Sequence, residues 1–267
     1  MAWIDSNTAL YGIIGKNISY SLSPVIHNYV FRRINHNAVY LRFDVSEHLF
    51  ETAFAGLASV SKGLNITIPY KERVLGLLEG LDGVAEKIGA VNTVKSRVGF
   101  NTDYLAIKSL VVKKIGNLSN DICLIYGAGG AARAASFSLG WLGCRVFLIN
   151  RTKDRAKKLA EDLLRNGIDA EVLDGCREGA DVVVNATPDI RIIPSKCLSP
   201  SLIIDFAYGS RENDLLKRAK QEGVLFIDGI SILIRQAIEA QKIWIGTGLE
   251  EEEIRHYLAK RGYINAW

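Results

Sequence analysis

Lys71 and Asp103 stand inside two short motifs, Asn65-Ile-Thr67-Ile-Pro69-Tyr-Lys71 and Asn101-Thr102-Asp103. Such a pair can carry a proton. Reducing a ketone by hydride leaves an alkoxide that must be protonated, and the reverse reaction needs a base for the same hydroxyl. A lysine does this where burial lowers its pKa, and holds neighbouring charges in place where it stays protonated. The other reading of the two residues is a surface ion pair at a helix start. Ser21 and Ser23 lie just before Pro24 and a helical pattern. Their hydroxyls, with the helix's first amides, suit a carboxylate, and plain capping by Ser23 is the alternative.

A second cluster points to a nucleotide. The run Ile122 to Tyr126 is a buried-strand pattern leading straight into Gly127-Ala128-Gly129-Gly130-Ala131-Ala132 and a helix. Gly127 permits the tight turn, Gly129 leaves no Cβ between backbone and a pyrophosphate, and Ala132 lets the helix pack close to its sheet. At the end of the next strand comes Asn150-Arg151-Thr152-Lys153-Asp154-Arg155. A carboxylate placed there accepts from the ribose 2′-hydroxyl of NAD, whereas Arg151, with Thr152 and Arg155, can fork onto a 2′-phosphate. NADP is therefore expected over NAD. As a solvated helix start the same three cations would oppose the helix dipole and need a compensating anion.

Taken in order, the motifs resemble those of the shikimate dehydrogenase family: Tyr20-Ser21-Leu-Ser23-Pro24-x-x-His27-Asn28, Asn65 to Lys71, Gly89-Ala-Val-Asn92-Thr93, Asn101-Thr102-Asp103, Gly127 to Ala131, Asn150-Arg151-Thr152, Asn185-Ala186-Thr187, Asp205-x-x-Tyr208, and Gln236-Ala237 with Trp244-x-Gly246. The resemblance implies reversible, NADPH-dependent reduction of 3-dehydroshikimate to shikimate, in aromatic amino acid biosynthesis. It implies Lys71 and Asp103 as catalytic residues. Ser21, Ser23, Asn65, Thr67, Asn92, Tyr208 and Gln236 become substrate contacts. Gly127 to Ala131, Asn150, Arg151, Thr152, Arg155, Ala186, Thr187 and Gly229 become cofactor contacts, and no metal is called for. The chain departs from the family's pattern at Pro188-Asp189-Ile190, at Ser210 and Asn213 after Tyr208, and at Ser231-Ile232. A quinate/shikimate dehydrogenase using NAD(P) and a non-catalytic NADP-binding relative are the alternatives; the paired serines, Arg151 and the retained Lys71 and Asp103 argue against them. His27 is expected to make a structural hydrogen bond.

These residues need elements to position them, and the 267 residues supply two sets. In the first hundred, strands near Leu10 to Ile14, Val39 to Val45 and Gly63 to Ile68 alternate with helical patterns from Ser23, over 47–58 and over Tyr70 to Glu79. A second alternation starts at Ile122, after a polar stretch from Gly116 to Asp121 that reads as a boundary or a turn. The expected fold is α/β with two domains. Residues 1–103, completed by C-terminal helices over 231–267, form a substrate domain with a mostly parallel sheet; residues 104–230 form a Rossmann-like NADP-binding domain.

Charge and composition limit the partners. Lys plus Arg number 33 against 29 Asp plus Glu, a mild excess that suits small anions and falls short of a nucleic-acid footprint. No apolar run approaches a membrane span. The single, widely spaced cysteines Cys123, Cys144, Cys176 and Cys197 signal neither a zinc site nor a disulfide framework, so a reducing cytoplasm is expected; the expected assembly is a monomer or homodimer.

Overall fold

Short β-rich runs and amphipathic stretches alternate because each sheet face must be covered by helices. In a computed structural model, which describes residues 4–187, 193, 200–208 and 214–265, they make two six-stranded sheets. Contacts divide the chain into one unit of Met1–Thr102 with Leu233–Trp267 and another of Asp103–Ile232.

The first unit runs β1 (Ala9–Gly15), α1 (Ser23–Arg33), β2 (Ala38–Asp44), a 3-10 turn (Glu47–Leu49), α2 (Phe50–Val60), β3 (Gly63–Ile66), a second 3-10 turn (Arg73–Leu77), β4 (Gly80–Leu81), α3 (Gly83–Ile88), β5 (Thr93–Lys95) and β6 (Val98–Phe100). Its strand order is β2-β1-β3-β5-β6-β4. β1 is parallel to both β2 and β3, while β5 runs antiparallel to β3 and β6. Phe50, Phe54, Leu64, Ile66, Tyr70 and Val74 bury one face of this sheet. Tyr11, Phe31, Tyr40 and Trp244 bury the other. Full burial of such side chains is worth roughly 1.5–3 kcal/mol each.

The second unit takes in α4 (Thr102–Ile115) from Asp103 on, then β7 (Ile122–Tyr126), α5 (Gly130–Trp141), β8 (Arg145–Ile149), α6 (Lys153–Arg165), β9 (Ala170–Val172), β10 (Val182–Asn185), β11 (Leu202–Asp205), α7 (Asp214–Gln221) and β12 (Leu225–Ile227). All its pairings are parallel, in the order β12-β11-β10-β7-β8-β9. That is the doubly wound order in which two halves meet at the central strand, here β7. The helix α8 (Gly229–Ile245) passes from one unit's residues to the other's, and α9 (Glu251–Lys260) follows.

Several expectations change. The helical pattern over Tyr70 to Glu79 yields only the 3-10 turn, because Gly76 weakens a helix there and the backbone is held elsewhere: Val91 N donates to Lys71 O at 2.8 Å. The polar stretch at 116–121 is a turn inside the second unit. Cys123 and Cys144 form a disulfide and Cys176 is disulfide-bonded too, so the inference from unpaired cysteines to a reducing compartment falls. Spacing alone did not bring Cys123, in β7, beside Cys144, just before the neighbouring β8; parallel pairing did. The departures at Pro188 to Ile190, Ser210 and Asn213 lie outside the described residues. No helix among the described residues is long and apolar enough to cross a membrane.

The two polar residues that follow Pro24 in α1, His27 and Asn28, are both structural. Asn28 Nδ2 donates to Tyr40 O at 2.8 Å and its Oδ1 accepts from Tyr40 N at 2.9 Å, on β2, the strand at the end of the sheet. His27 stacks on the Tyr40 ring with centroids 4.3 Å apart, and its Nδ1 lies 3.0 Å from Gln241 Nε2 of α8. Full burial pushes its pKa from 6.5 down to about 3. The unfolded chain therefore binds a proton between those values that the folded chain refuses. The neutral imidazole's contribution is intact above pH 6.5 and is lost as pH falls toward 3, by about 1.4 kcal/mol per unit. Urea melts from pH 7 to pH 4 should show a shallower decline in stability for His27→Gln than for the wild type; parallel declines would place the acid sensitivity elsewhere.

Candidate active site

In the first unit the polar motifs gather at the carboxyl ends of the parallel strands β1 and β3, where open α/β sheets bind ligands. α1 starts at Ser23, with Leu22 as its N-cap and no side-chain cap. The capping alternative for Ser23 is thus not realised: its hydroxyl has no partner among the described residues, although the residue is only 2% exposed. Ser21 Oγ accepts from Ser23 N at 3.3 Å. No acidic residue stands in the first turn of α1, whose dipole therefore leaves its start favourable to an anion beside the two serine hydroxyls.

Thr67 follows β3, its backbone held by Ile14 O and Tyr70 N and its hydroxyl without a partner among the described residues. Lys71 comes next to Tyr70, which is fixed by stacking on Phe50 at 3.9 Å and by donating its hydroxyl to Val45 O at 2.6 Å. Lys71 is half-buried, and the Lys71–Val91 backbone bond places it one residue from Asn92 in the facing chain. Asn92 lies across from Ile66, whose N–H donates to Asn92 O at 2.9 Å. Asn92 Oδ1 accepts from Thr102 N at 2.7 Å and from the hydroxyls of Thr102 and Thr93 at 3.1 Å.

Asn65 sits deeper. Its Oδ1 accepts from Tyr40 OH at 2.7 Å, and its Nδ2 donates to Asn92 O and Thr93 Oγ1 at 3.0 and 3.1 Å. Its side chain is spent entirely on protein partners. Asn101 Nδ2 donates to Ala90 O, which holds the loop before α4. Gln236, in α8, donates from Nε2 to Leu233 O at 2.8 Å, leaving Oε1 without a partner among the described residues. Sequence reasoning passed over Thr93 and Thr102, though both stood in quoted motifs, and had no signal at all for Tyr40.

The second unit opens with Asp103, buried in the first turn of α4. Its remaining candidates sit at the carboxyl end of the sheet. Gly127 has φ +121°, and a Cβ there would lie 3.1 Å from Ala186 O. Gly127 N donates to Ile149 O, so Asn150 and Arg151 begin beside the glycine turn. Gly129 caps α5 without a side chain, no acidic residue stands in that helix's first turn, and a Cβ on Gly129 would meet nothing closer than Arg155 Nη2 at 4.0 Å. Open space therefore faces the unsatisfied amides of Gly130 and Ala131, with Ala128 buried behind them.

The cations of the α6 start are resolved individually. Lys153 pairs with Asp174 at 2.6 Å, which holds the aspartate's carboxyl below its ordinary pKa, and Asp154 sits in the helix's first turn. Asn150 Nδ2 donates to Thr152 O. Arg151 is exposed and has no hydrogen bond or ion pair among the described residues. The compensating anion is present for Lys153 and absent, among the described residues, for Arg151.

Across the sheet, Ala186 N donates to Tyr126 O, and Asn185 Oδ1 accepts from Thr187 N and Thr187 Oγ1. Gly229 has a packing reason: a Cβ would come within 2.6 Å of Ala207 O. Tyr208, half-buried, ends a described segment. Among the described residues no cluster of three His, Cys, Asp or Glu is placed to hold a metal.

A family model described as the shikimate dehydrogenase substrate binding domain matches residues 13–94, and one described as shikimate / quinate 5-dehydrogenase matches 109–199. The shikimate dehydrogenase (NADP(+)) of Saccharolobus islandicus is 48% identical over 264 residues, 98% of either chain. A crystal structure of shikimate dehydrogenase from Aquifex aeolicus has a TM-score of 0.84 at 35% identity, covering 96% of this chain and 99% of that one. Another, in complex with NADP+, has a TM-score of 0.86 at 31% identity and 97% coverage of both.

The two glycines separate packing from ligand approach. Gly127→Ala, strained at positive φ and crowded by Ala186, should cost about 1–3 kcal/mol of stability. Gly129→Ala has room and an ordinary φ, so thermal melts should show it folded like the wild type while calorimetric titration shows weaker dinucleotide binding; unchanged binding would mean that no pyrophosphate passes this turn.

Proposed function

The chain belongs to the shikimate dehydrogenase family, and from that premise we propose how its residues divide the work. It is an NADP-dependent oxidoreductase that interconverts 3-dehydroshikimate and shikimate, a step of aromatic amino acid biosynthesis. The observation that carries the proposed cofactor site is the open glycine turn at the uncapped start of α5 with Arg151 unpaired beside it. That combination fits a dinucleotide bearing an extra phosphate. The amides of Gly129, Gly130 and Ala131 would receive the pyrophosphate, and Arg151, with Thr152 and Arg155, the 2′-phosphate. Ala186, Thr187 and Gly229 would line the nicotinamide end, whose hydride is the chemistry NADPH supplies when bound.

The first unit is the substrate side in this reading. Ser21 and Ser23 hold the substrate carboxylate at the α1 start, and Thr67 and Asn92 hold ring hydroxyls. Tyr208 and Gln236 complete the contacts. Lys71 gives a proton to the carbonyl oxygen as it becomes an alkoxide, and takes it back from the hydroxyl in oxidation, and Asp103 serves the same proton transfer.

Two measurements test the assignment. Arg151→Ala should raise KM for NADP+ by about tenfold to a hundredfold while leaving NAD+ kinetics nearly unchanged, since one charge-assisted contact to phosphate is lost. Equal losses would make Arg151 structural, and faster turnover of quinate with NAD+ than of shikimate with NADP+ would favour the quinate reading.

Lys71→Ala should lower kcat by about a hundredfold to ten-thousandfold with little change in KM for shikimate. Asp103→Asn should act in the same direction, and the double variant should be little worse than the worse single one. Strictly additive losses in kcat would separate the two roles.

A further inference from the structure

The hydrogen bonds around Asn92 determine which way its amide points. Thr102 N is a backbone donor and nothing else, and it lies 2.7 Å from Asn92 Oδ1. A flipped amide would set two donors face to face. Asn65 is fixed by the same logic in reverse: Asn92 O is a backbone acceptor and nothing else, so the nitrogen of Asn65 must face it and the oxygen must face Tyr40. The Tyr40 hydroxyl therefore donates. The second Nδ2 hydrogen of Asn65 goes to Thr93 Oγ1, and the Thr93 proton goes on to Asn92 Oδ1, directly or through the Thr102 hydroxyl 3.1 Å away. The links from Tyr40 to Asn65 and from Asn65 to Thr93 have one direction each, and by either route the hydroxyl protons end on Asn92 Oδ1.

Tyr40, Asn65, Thr93 and Asn92 are all between 0% and 3% exposed, so solvent does not compete with the chain. At its inner end the Tyr40 ring is clamped by His27. At its outer end, Asn92 has one polar group left over: Nδ2 has no partner among the described residues.

We infer that Tyr40, Asn65 and Thr93 are positioning residues that lock Asn92 with its Nδ2 turned toward the substrate, so that Asn92 recognises a ring hydroxyl only as an acceptor, and that Asn65 acts through Asn92 without touching substrate. This rests on the reading of Asn92 as a substrate contact. Supporting groups of this kind hold a binding side chain in its productive orientation, and losing one loosens the contact it supports.

The test is steady-state kinetics on full-length, folded variants. Tyr40→Phe keeps the ring stacked on His27 and removes only the hydroxyl; Thr93→Val keeps the shape and removes the hydroxyl, and Thr93→Ser restores it. Tyr40→Phe and Thr93→Val should each raise KM for shikimate by about three- to tenfold, with kcat and KM for NADP+ within about twofold of wild type, and Thr93→Ser should stay near wild type. In an Asn92→Ala background, Tyr40→Phe should add nothing. Unchanged KM for shikimate in Tyr40→Phe and Thr93→Val, or a Tyr40→Phe effect that persists in full without the Asn92 amide, overturns the relay while leaving Asn92 a substrate contact. Unchanged KM for shikimate in Asn92→Ala itself removes the underlying reading and the relay with it.

Discussion

The bond from Thr102 N to Asn92 Oδ1 is where buried polar side chains of β2, β3, β5 and the start of α4 converge. A buried amide costs about 1–3 kcal/mol for each group left unsatisfied, so the surroundings of its oxygen must commit to one orientation and supply the donors for it. Here the partners come from distant stretches of chain: Thr93 at the start of β5, Thr102 at the start of α4, Asn65 in β3 and, through Asn65, Tyr40 in β2. Strand order brings them within reach, since Asn65 faces Thr93 in the antiparallel β3–β5 pair. Satisfying one side chain therefore aligns three strands and a helix start.

The two nominated binding regions, one in each unit, meet anions by a different means. At α1 and at α5 a helix begins without a side-chain cap and without an acidic residue in its first turn. The first amides of each start lack intrahelical acceptors, although in α1 Pro24 has no N–H and Ser23 N already donates to Ser21 Oγ, and the helix dipole adds to their pull on negative charge. At α6 the same dipole is met by Asp154 and by the Lys153–Asp174 pair. Closed and open helix starts thus coexist in one sheet, and the difference is set by a few side chains.

Much of this was legible in the sequence. The glycine turn and Arg151 could be read because each residue type answers a local demand: positive φ at Gly127, absence of a Cβ at Gly129, an unpaired guanidinium after the second strand. The serines, Thr67, Lys71 and Asn92 could be read from motifs. Other parts depended on contacts between residues far apart in the chain. Tyr40 is an ordinary strand aromatic until its hydroxyl meets Asn65, 25 positions on. The Cys123–Cys144 disulfide arises from parallel pairing of β7 and β8, and the short β4, β6 and β9 carry too few residues for an alternating pattern. The expected helix after Tyr70 lost to a long-range backbone bond at Lys71.

The two-bond clasp of Asn28 on Tyr40 has a consequence for how the first sheet ends. A terminal strand displays a row of unused N–H and C=O groups, a template on which a stray chain can add itself and start an aggregate. Proteins usually blunt such a border with charges, prolines or bulges in the strand itself. Here a side chain from α1 imitates the missing neighbour, giving Tyr40, the third residue of β2, one acceptor and one donor. An incoming chain would have to break both bonds before gaining any there, so the border is shut to templated growth at that point while β2 keeps the Tyr40 ring for its core.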